Sequence, residues 1–316
     1  MEKTPQTALL APAEVAYAAQ LLRAGQLVAM PTETVYGLAG DARNAEAVAA
    51  IFKAKGRPAH NPLIVHLDGT EAAEKLAHLS DQARKLAEAF WPGALTLVAP
   101  LRTDHGLADS VTAGLPTVAL RVPAHPLARA LLAAFGGPVA APSANPSGRI
   151  SPTTAAHVMA GLGGRIAAVL DGGPCPVGLE STILGFEGGD AILLREGGIS
   201  SEQLAAVLGQ PPRERTGAKI TAPGQMLSHY APQANLRLNV TKPDADEIWI
   251  GFGPECAGAA LNLSPDGDLD EAASTLFATL HKADLMAQPI AIAPVPDHGI
   301  GAAINDRLRR AAAPRA

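Results

Sequence analysis

The sequence predicts an α/β (α+β) protein: a first domain with a twisted mixed sheet and helices, a long linker, and a small second α/β domain. Three observations predict it. Short apolar runs alternate with stretches of helical period as far as Leu208. Several of those runs follow one another with no helical stretch between them, so parallel crossovers cannot join every pair of strands. After Leu208 the composition shifts: Gly209 to Asn235 carries Pro211, Pro212, Pro223 and Pro232 without an apolar period, and α/β patterning resumes beyond it. The expected boundaries are 1–209, 210–235 and 236–316.

Taken in order, Glu14 to Ala24 reads as an amphipathic helix with Val15, Ala18, Leu21 and Leu22 on one face and Gly25 as its stop. Leu27 to Met30 is a strand candidate ended by Pro31, which cannot donate a ladder hydrogen bond. Thr32, Glu33, Thr34 and Tyr36 follow at once. Asn44 then suits an N-cap, Glu46 an acid in the first turn, and Gly56 the left-handed residue that ends the helix. Leu63 to Leu67 reads as a buried strand carrying His66. Helices are expected at Glu71–Leu79, Asp81–Phe90, Leu127–Phe135, Pro152–Gly161 and Ser201–Leu208, with Ser151-Pro152 as cap and first turn of the fourth. Strands are expected within Trp91–Pro100, over Thr117–Val122, and near Val139, Ala167, Ser181 and Ile192. Beyond the linker, strands at Leu236–Val240, Glu247–Phe252 and Pro289–Ala293 alternate with helices at Leu269–Ala287 and Ile300–Ala312.

Composition bounds the function classes. The 316 residues are 47% hydrophobic, 17% charged and only 3% aromatic, which describes a globular chain with an aliphatic core. A formal charge of −5 at pH 7 argues against a generic nucleic-acid or membrane binder. Cys175 and Cys256 form no C-x-x-C or Cys/His cluster, which fits a reduced compartment rather than a disulfide framework. The start M-E-K-T-P-Q lacks a signal peptide's apolar core, and no run approaches a membrane span, so a cytoplasmic location is expected. No G-x-x-x-x-G-K-[ST], H-E-x-x-H or G-x-S-x-G occurs.

The chemistry-bearing residues gather in a few stretches. Lys53, Lys55, Arg57, Asn61 and His66 sit on one short, stiff scaffold, as a polyanion site requires. Charge placement alone leaves open that the lysines only complement a helix C-terminus and that His66 is a core histidine. Thr117 and Arg121 lie on one face of a strand whose other face is aliphatic; a buried arginine needs either a bound anion or a carboxylate of the chain. A-P-S-A-N-P-S-G-R-I-S-P (Ala141 to Pro152) follows a strand and is either a phosphate-binding loop or a capped polar turn. Asp171 to Leu184 places a glycine-rich turn before Glu180-Ser181-Thr182. Cys175 within it has no neighbouring base in sequence and reads as a bystander.

These motifs occur together and in order, and the chain resembles the Sua5/YrdC/YciO family, Sua5-type threonylcarbamoyl-AMP synthase in particular. The resemblance is carried by P-T-E-T-V-Y-G-L, K-G-R-P…N-P-L-I-V-H, Ser143-Ala144-Asn145, G-L-E-S-T, L-L-R-E-G-G, the H-Y-A-P of residues 229–232 and G-I-G-A-A-I-N-D-R-L-R-R, and it covers nearly the whole chain. It implies a YrdC-like catalytic domain, a linker that folds over the site, and a Rossmann-like C-terminal domain. It implies L-threonylcarbamoyladenylate synthesis from L-threonine, bicarbonate or CO₂, and ATP, with release of pyrophosphate. The product would serve a threonylcarbamoyl transferase that makes t6A at position 37 of tRNA.

Residue by residue, the resemblance implies Lys55, Arg57, Ser143 and Asn145 at the reacting end. Arg57, Asn61, Thr117, Ser143, Ser151, Arg195 and Tyr230 would contact ATP. Thr34, His66, Arg121, Ser181 and the backbone at Ala141 would contact L-threonine. Mg²⁺ is expected to arrive on the ATP phosphates, with no metal cage in the protein. Glu196 and Met226-Leu227-Ser228 depart from the family pattern. Two other readings stay open: a double-stranded-RNA or ribosome-associated factor with weak RNA or tRNA binding, and a carbamoyl-adenylating enzyme with another acceptor.

Overall fold

Side-chain chemistry sets the helix ends where the sequence places them. In the computed structural model, which describes residues 6–58, 61–215 and 229–314, the Asn44 side chain accepts from the N–H groups of Glu46 and Ala47. Gly56 closes the same helix at φ 60°. The elements of the first part are β1 (Ala8–Leu10), α1 (Val15–Arg23), β2 (Val28–Met30), β3 (Gly37–Asp41), α2 (Ala45–Lys55), β4 (Ile64–His66), α3 (Thr70–Leu76) and α4 (Asp81–Phe90). They continue as β5 (Leu95–Pro100), β6 (Thr117–Arg121), α5 (Pro126–Phe135), β7 (Val139–Ala140), α6 (Ala155–Leu162), β8 (Ala168–Leu170), β9 (Thr182–Glu187), β10 (Asp190–Arg195), α7 (Ser201–Leu208) and β11 (Arg213–Glu214). The second part has β12 (Leu236–Arg237), β13 (Ile248–Gly251), β14 (Leu261–Asn262), α8 (Leu269–Leu285), β15 (Ile290–Ile292) and α9 (Ile300–Ala312).

The first sheet is mixed, as the uninterrupted strand runs predict. Its order is β1-β8-β2-β3-β7-β4-β6-β5-β9-β10-β11, with β2/β3, β3/β7, β4/β7, β5/β6 and β9/β10 antiparallel and β4/β6 and β5/β9 parallel. Alternation along β6 divides the sheet into two environments. Val118, Leu120 and Val122 enter the main apolar cluster beside Val65 of β4, whereas Ala119 joins a small cluster with Ile64, Val98 and Ile183 on the other face. Arg121 and His66 share that second face and stand side by side in the register. The functional cavity lies there, away from the helical core.

Several expectations need correction. Thr154, not Ser151, caps α6: its side chain accepts from the His157 N–H. The reason is that the Ser151 hydroxyl is already engaged by Glu180, and Pro152 continues the loop instead of opening the helix. Helix α3 ends at Leu76, and β12 covers only Leu236–Arg237 of the longer run expected there. β3 arises inside the P-T-E-T-V-Y-G-L-A-G-D motif, whose small residues carry no strand period. Part of the proline-rich stretch is ordered by β11 pairing with β10. Pro223, Gly224 and Met226-Leu227-Ser228 lie outside the described residues.

The second sheet is wholly parallel, with order β12-β15-β13-β14. Its core of Leu276, Phe277, Leu280, Ile290 and Ile304 continues into the first part through Val35, Ile150, Leu179 and Tyr230. Both cysteines are buried and unbridged. Among the described residues no helix is long and apolar enough to cross a membrane.

The two parts pack tightly at Gly178. Its φ is +72°, and a Cβ there would stand 2.5 Å from the Ser274 carbonyl oxygen and 2.6 Å from that of Ala273, both on α8. Gly178→Ala should therefore lower the apparent melting temperature by several degrees, the equivalent of about 1–2 kcal/mol. A melting curve that overlays the wild type would show that α8 yields at no cost.

Candidate active site

Lys55, at the last turn of α2, is buried and turns inward. Its ammonium donates to the carbonyls of Ser143 at 2.5 Å and Asn145 at 2.6 Å, with the Asn145 side-chain oxygen at 3.4 Å. Three acceptors match the three donors of an ammonium. The Asn145 amide in turn donates to the carbonyls of Pro146 and Arg149, and the Ser147 N–H returns to the Lys55 carbonyl at 2.8 Å. Lys55 and Asn145 thus lie beneath the S-A-N loop and shape it, while Ser143 and Arg57 line the cavity above. Burial presses the Lys55 pKa down and neighbouring Arg57 adds to that; Lys53, on the outer side of α2, is exposed.

The cavity, about 580 Å³ including its mouth, is open between the β4/β6 face and residues 229–230. At one end, Arg121 donates to Glu33 at 2.6 Å, to the Thr34 hydroxyl at 2.8 Å and to the Gly93 carbonyl at 3.2 Å. The Thr32 hydroxyl donates to the Val35 carbonyl at 2.6 Å, so the 2.8 Å contact between the two threonine hydroxyls is donated by Thr34. A directed chain runs from Arg121 through Thr34 and Thr32 to the backbone, and it holds the guanidinium with N–H groups to spare. The chain carboxylate that the sequence left as an alternative is Glu33. Burial, the largest effect, would raise its pKa, but the charge and hydrogen bond of Arg121 together with backbone N–H groups, that of Ala124 among them, leave it below the usual carboxylate value.

At the other end, Arg195 donates to the Ser181 carbonyl at 2.7 Å and its hydroxyl at 3.1 Å, and Ser181 also contacts Thr96 at 2.7 Å. Arg57 donates to the carbonyls of Pro62 at 3.0 Å and Asn61 at 3.4 Å. Burial holds both guanidinium pKa values down to about 10, still charged at neutral pH. Among the described residues, the hydrogen bonds of these two arginines go to neutral oxygens, which leave their charge available to a ligand. Ala141 and Tyr230 complete the lining, with Tyr230 held at φ 65°.

Not every expected residue reaches the cavity. Asn61 is buried beside it. Ser151 is fully buried behind Glu180, to which its hydroxyl donates at 2.5 Å, so its single proton is spent there. Thr117 is partly exposed at the far end of β6, roughly 13 Å along the strand from Arg121. Conversely, Glu180, His229 and Thr32, which the motifs contain but to which no ligand contact was assigned, line the cavity. Arg307 of α9, fully buried, donates to Glu180 at 2.7 Å. Glu180 adjoins Ser181 in the quoted motif, and an acid next to a ligand-facing serine was a usable signal. Arg307 had none, because its partner is 127 residues distant.

Fold and cavity describe an α/β protein that keeps cations buried to receive anionic small molecules. A family profile described as telomere recombination matches residues 20–197, and one described as threonylcarbamoyl-AMP synthase, C-terminal domain, matches residues 199–313. A threonylcarbamoyl-AMP synthase of Bacillus subtilis is 42% identical over 96% of this chain and 94% of its own length. Its counterpart in Schizosaccharomyces pombe is 36% identical over 90% of this chain and 84% of its own length. The crystal structure of Pyrococcus abyssi Sua5 complexed with L-threonine superposes with a TM-score of 0.88 at 35% identity, covering 97% of both chains. The chain belongs to the Sua5 family of threonylcarbamoyl-AMP synthases.

Burial also fixes protonation. It pushes the pKa of His66 down to about 3, with Arg121 adding to the effect, and that of His229 likewise to about 3. In the unfolded chain an imidazole protonates near pH 6.5. As pH falls from about 6.5 toward 3 the unfolded state therefore takes up protons that the folded state refuses, and stability drops by up to about 1.4 kcal/mol per pH unit for each imidazole. Urea melts from pH 7 to 4 should show this decline, and His66→Asn should flatten it. A midpoint independent of pH across that range would contradict neutral burial.

Proposed function

We propose that the chain synthesises L-threonylcarbamoyladenylate from L-threonine, bicarbonate or CO₂, and ATP, releasing pyrophosphate. The observation that carries this reading is the pair Arg57 and Arg195, two buried guanidiniums supported by neutral oxygens, facing a cleft that also holds the Arg121–His66 pair. The first pair suits phosphates. The second suits an amino-acid carboxylate, taken by the unspent N–H groups of Arg121, with neutral His66, Thr34, Ser181 and the backbone at Ala141 around the rest of L-threonine. Residues 1–209 act as the catalytic domain, 210–235 as the linker and 236–316 as the C-terminal domain.

In this reading the threonine amine adds to the carbon of CO₂, one C=O π pair moves onto oxygen and the nitrogen loses a proton, which gives the carbamate; starting from bicarbonate, a C–O bond also breaks and water departs. A carbamate oxygen then bonds the α-phosphorus, the bond to the β-phosphate oxygen breaks, and pyrophosphate departs with that electron pair. Nothing in the step requires a covalent enzyme intermediate. Positioning and charge stabilisation supply the catalysis. Arg57, Arg195 and the Ser143 hydroxyl steady the phosphates and Tyr230 covers the nucleotide, whereas contacts from Asn61, Thr117 and Ser151 would require the nucleotide to extend past the cavity lining. Lys55 and Asn145 act through the loop they hold. Any Mg²⁺ would come as the ATP chelate, held mainly by the phosphates. The product would pass to a tRNA threonylcarbamoyl transferase in the cytoplasm.

Pyrophosphate release by the purified protein with ATP and bicarbonate should require L-threonine and fall when serine or valine replaces it. Threonine-independent release would refute the acceptor, and no release would refute the reaction. Arg57→Ala removes a charge-assisted contact of about 1.5–3 kcal/mol and should lower turnover by roughly tenfold or more. Undiminished turnover would remove Arg57 from the site.

A further inference from the structure

Arg307 belongs to α9 of the second part, yet its guanidinium serves the cavity wall of the first. Its exposure is 0%. Nε donates to the Glu180 carboxylate at 2.7 Å, one terminal nitrogen donates to the Glu196 carbonyl at 2.8 Å, and the other to Asp306 at 2.7 Å. The guanidinium carbon stands 5.3 Å from the centre of the Tyr230 ring, which Phe277 of α8 flanks at 5.5 Å. Close by on α9, the Arg310 carbonyl accepts the His229 N–H at 3.2 Å, and Arg310 shares Asp306 with Arg307.

Resting on the functional reading above, we propose that Arg307 is a positioning residue of the nucleotide site, through which the C-terminal domain sets how tightly ATP is held. Three contacts carry this. Glu180 lines the cavity, and an uncompensated carboxylate there would repel a triphosphate; Arg307 is its direct ionic partner. Glu180 orients the Ser151 hydroxyl at 2.5 Å, so the pairing also decides which way that hydroxyl points. Tyr230 has a left-handed backbone that needs outside support, and Arg307 stacks on its ring. The departure of Glu196 from the family pattern does not disturb the arrangement, because Arg307 uses its main-chain carbonyl. The hydrogen bonds of Arg121 and Thr34 involve none of these groups, so KM for L-threonine serves as an internal control that shares only Ser181, the neighbour of Glu180, with this arrangement.

The test uses the full chain as R307M, R307K, E180Q and the double variant E180Q/R307M, with initial rates of pyrophosphate release at varied ATP and varied L-threonine. R307M strands a buried carboxylate and should raise KM for ATP by about tenfold or more. KM for L-threonine should move much less. The double variant should regain a large part of the loss, since no anion is then left unpaired, and R307K should fall between R307M and wild type. An R307M enzyme with an ATP KM within about twofold of wild type would overturn the proposal, as would a double variant no better than R307M. A merely structural role would lower the active fraction without separating the two KM values. Should R307M fail to fold, R307K against E180Q/R307K makes the same comparison. Should the wild type release no pyrophosphate, the functional reading fails, and calorimetric ATP affinity of the same variants still reads the role of Arg307.

Discussion

A cleft that receives anionic substrates has to keep cations dehydrated yet charged, while the chain's own carboxylates compete for them. That constraint governs how every polar group around this cavity is partnered. Removing a cation from water costs several kcal/mol unless hydrogen bonds replace its hydration. Lys55, Arg57 and Arg195 meet the cost mainly with carbonyl oxygens, which satisfy N–H groups without cancelling charge. Arg121 and Arg307 instead take carboxylates, Glu33 and Glu180, and hold them in fixed positions. The division keeps positive charge unpaired with carboxylates at one end and supplies oriented, partly spent donors at the other.

The mixed sheet makes this possible. Pairing β4 parallel to β6 brings His66 beside Arg121, and alternation sends both side chains away from the helical core. β3, β4 and β7 share one antiparallel region, so the loop after β7 returns over the C-terminal end of α2, where Lys55 clamps it. The second part then seats α8 and α9 against this assembly. Their apolar core takes in Val35 from the opening motif and Tyr230 from the linker. Rigidity at the site comes from packing on both sides of a short loop system, as preorganised electrostatics requires.

Local chemistry was readable where it is short-range. The Asn44 cap, the Gly56 terminator and the parity of β6 all follow from groups within a few residues of one another. Ser151 shows the limit. Its place before Pro152 satisfies every local rule for a cap, yet a carboxylate 29 residues on takes its proton and Thr154 caps the helix instead. β3 was invisible for a related reason: its strand character comes from partners on both sides, not from residues with a strand period of their own.

The sequence by itself determined the class of fold, the place of most helices and, through motifs shared with a family, half of the residues that line the cavity. Those properties depend on local dihedral preference, periodicity and short motifs, all of which are written along the chain. Only the tertiary structure decided which cations remain available to a ligand and which are neutralised. Arg57 and Arg121 look alike in sequence, but one meets carbonyls and the other meets Glu33, 88 residues away. Arg307 joined the site for the same reason. Its Glu180 partner is reached only when two separately folding patterns pack together, and a pairing over that distance leaves no trace in local composition.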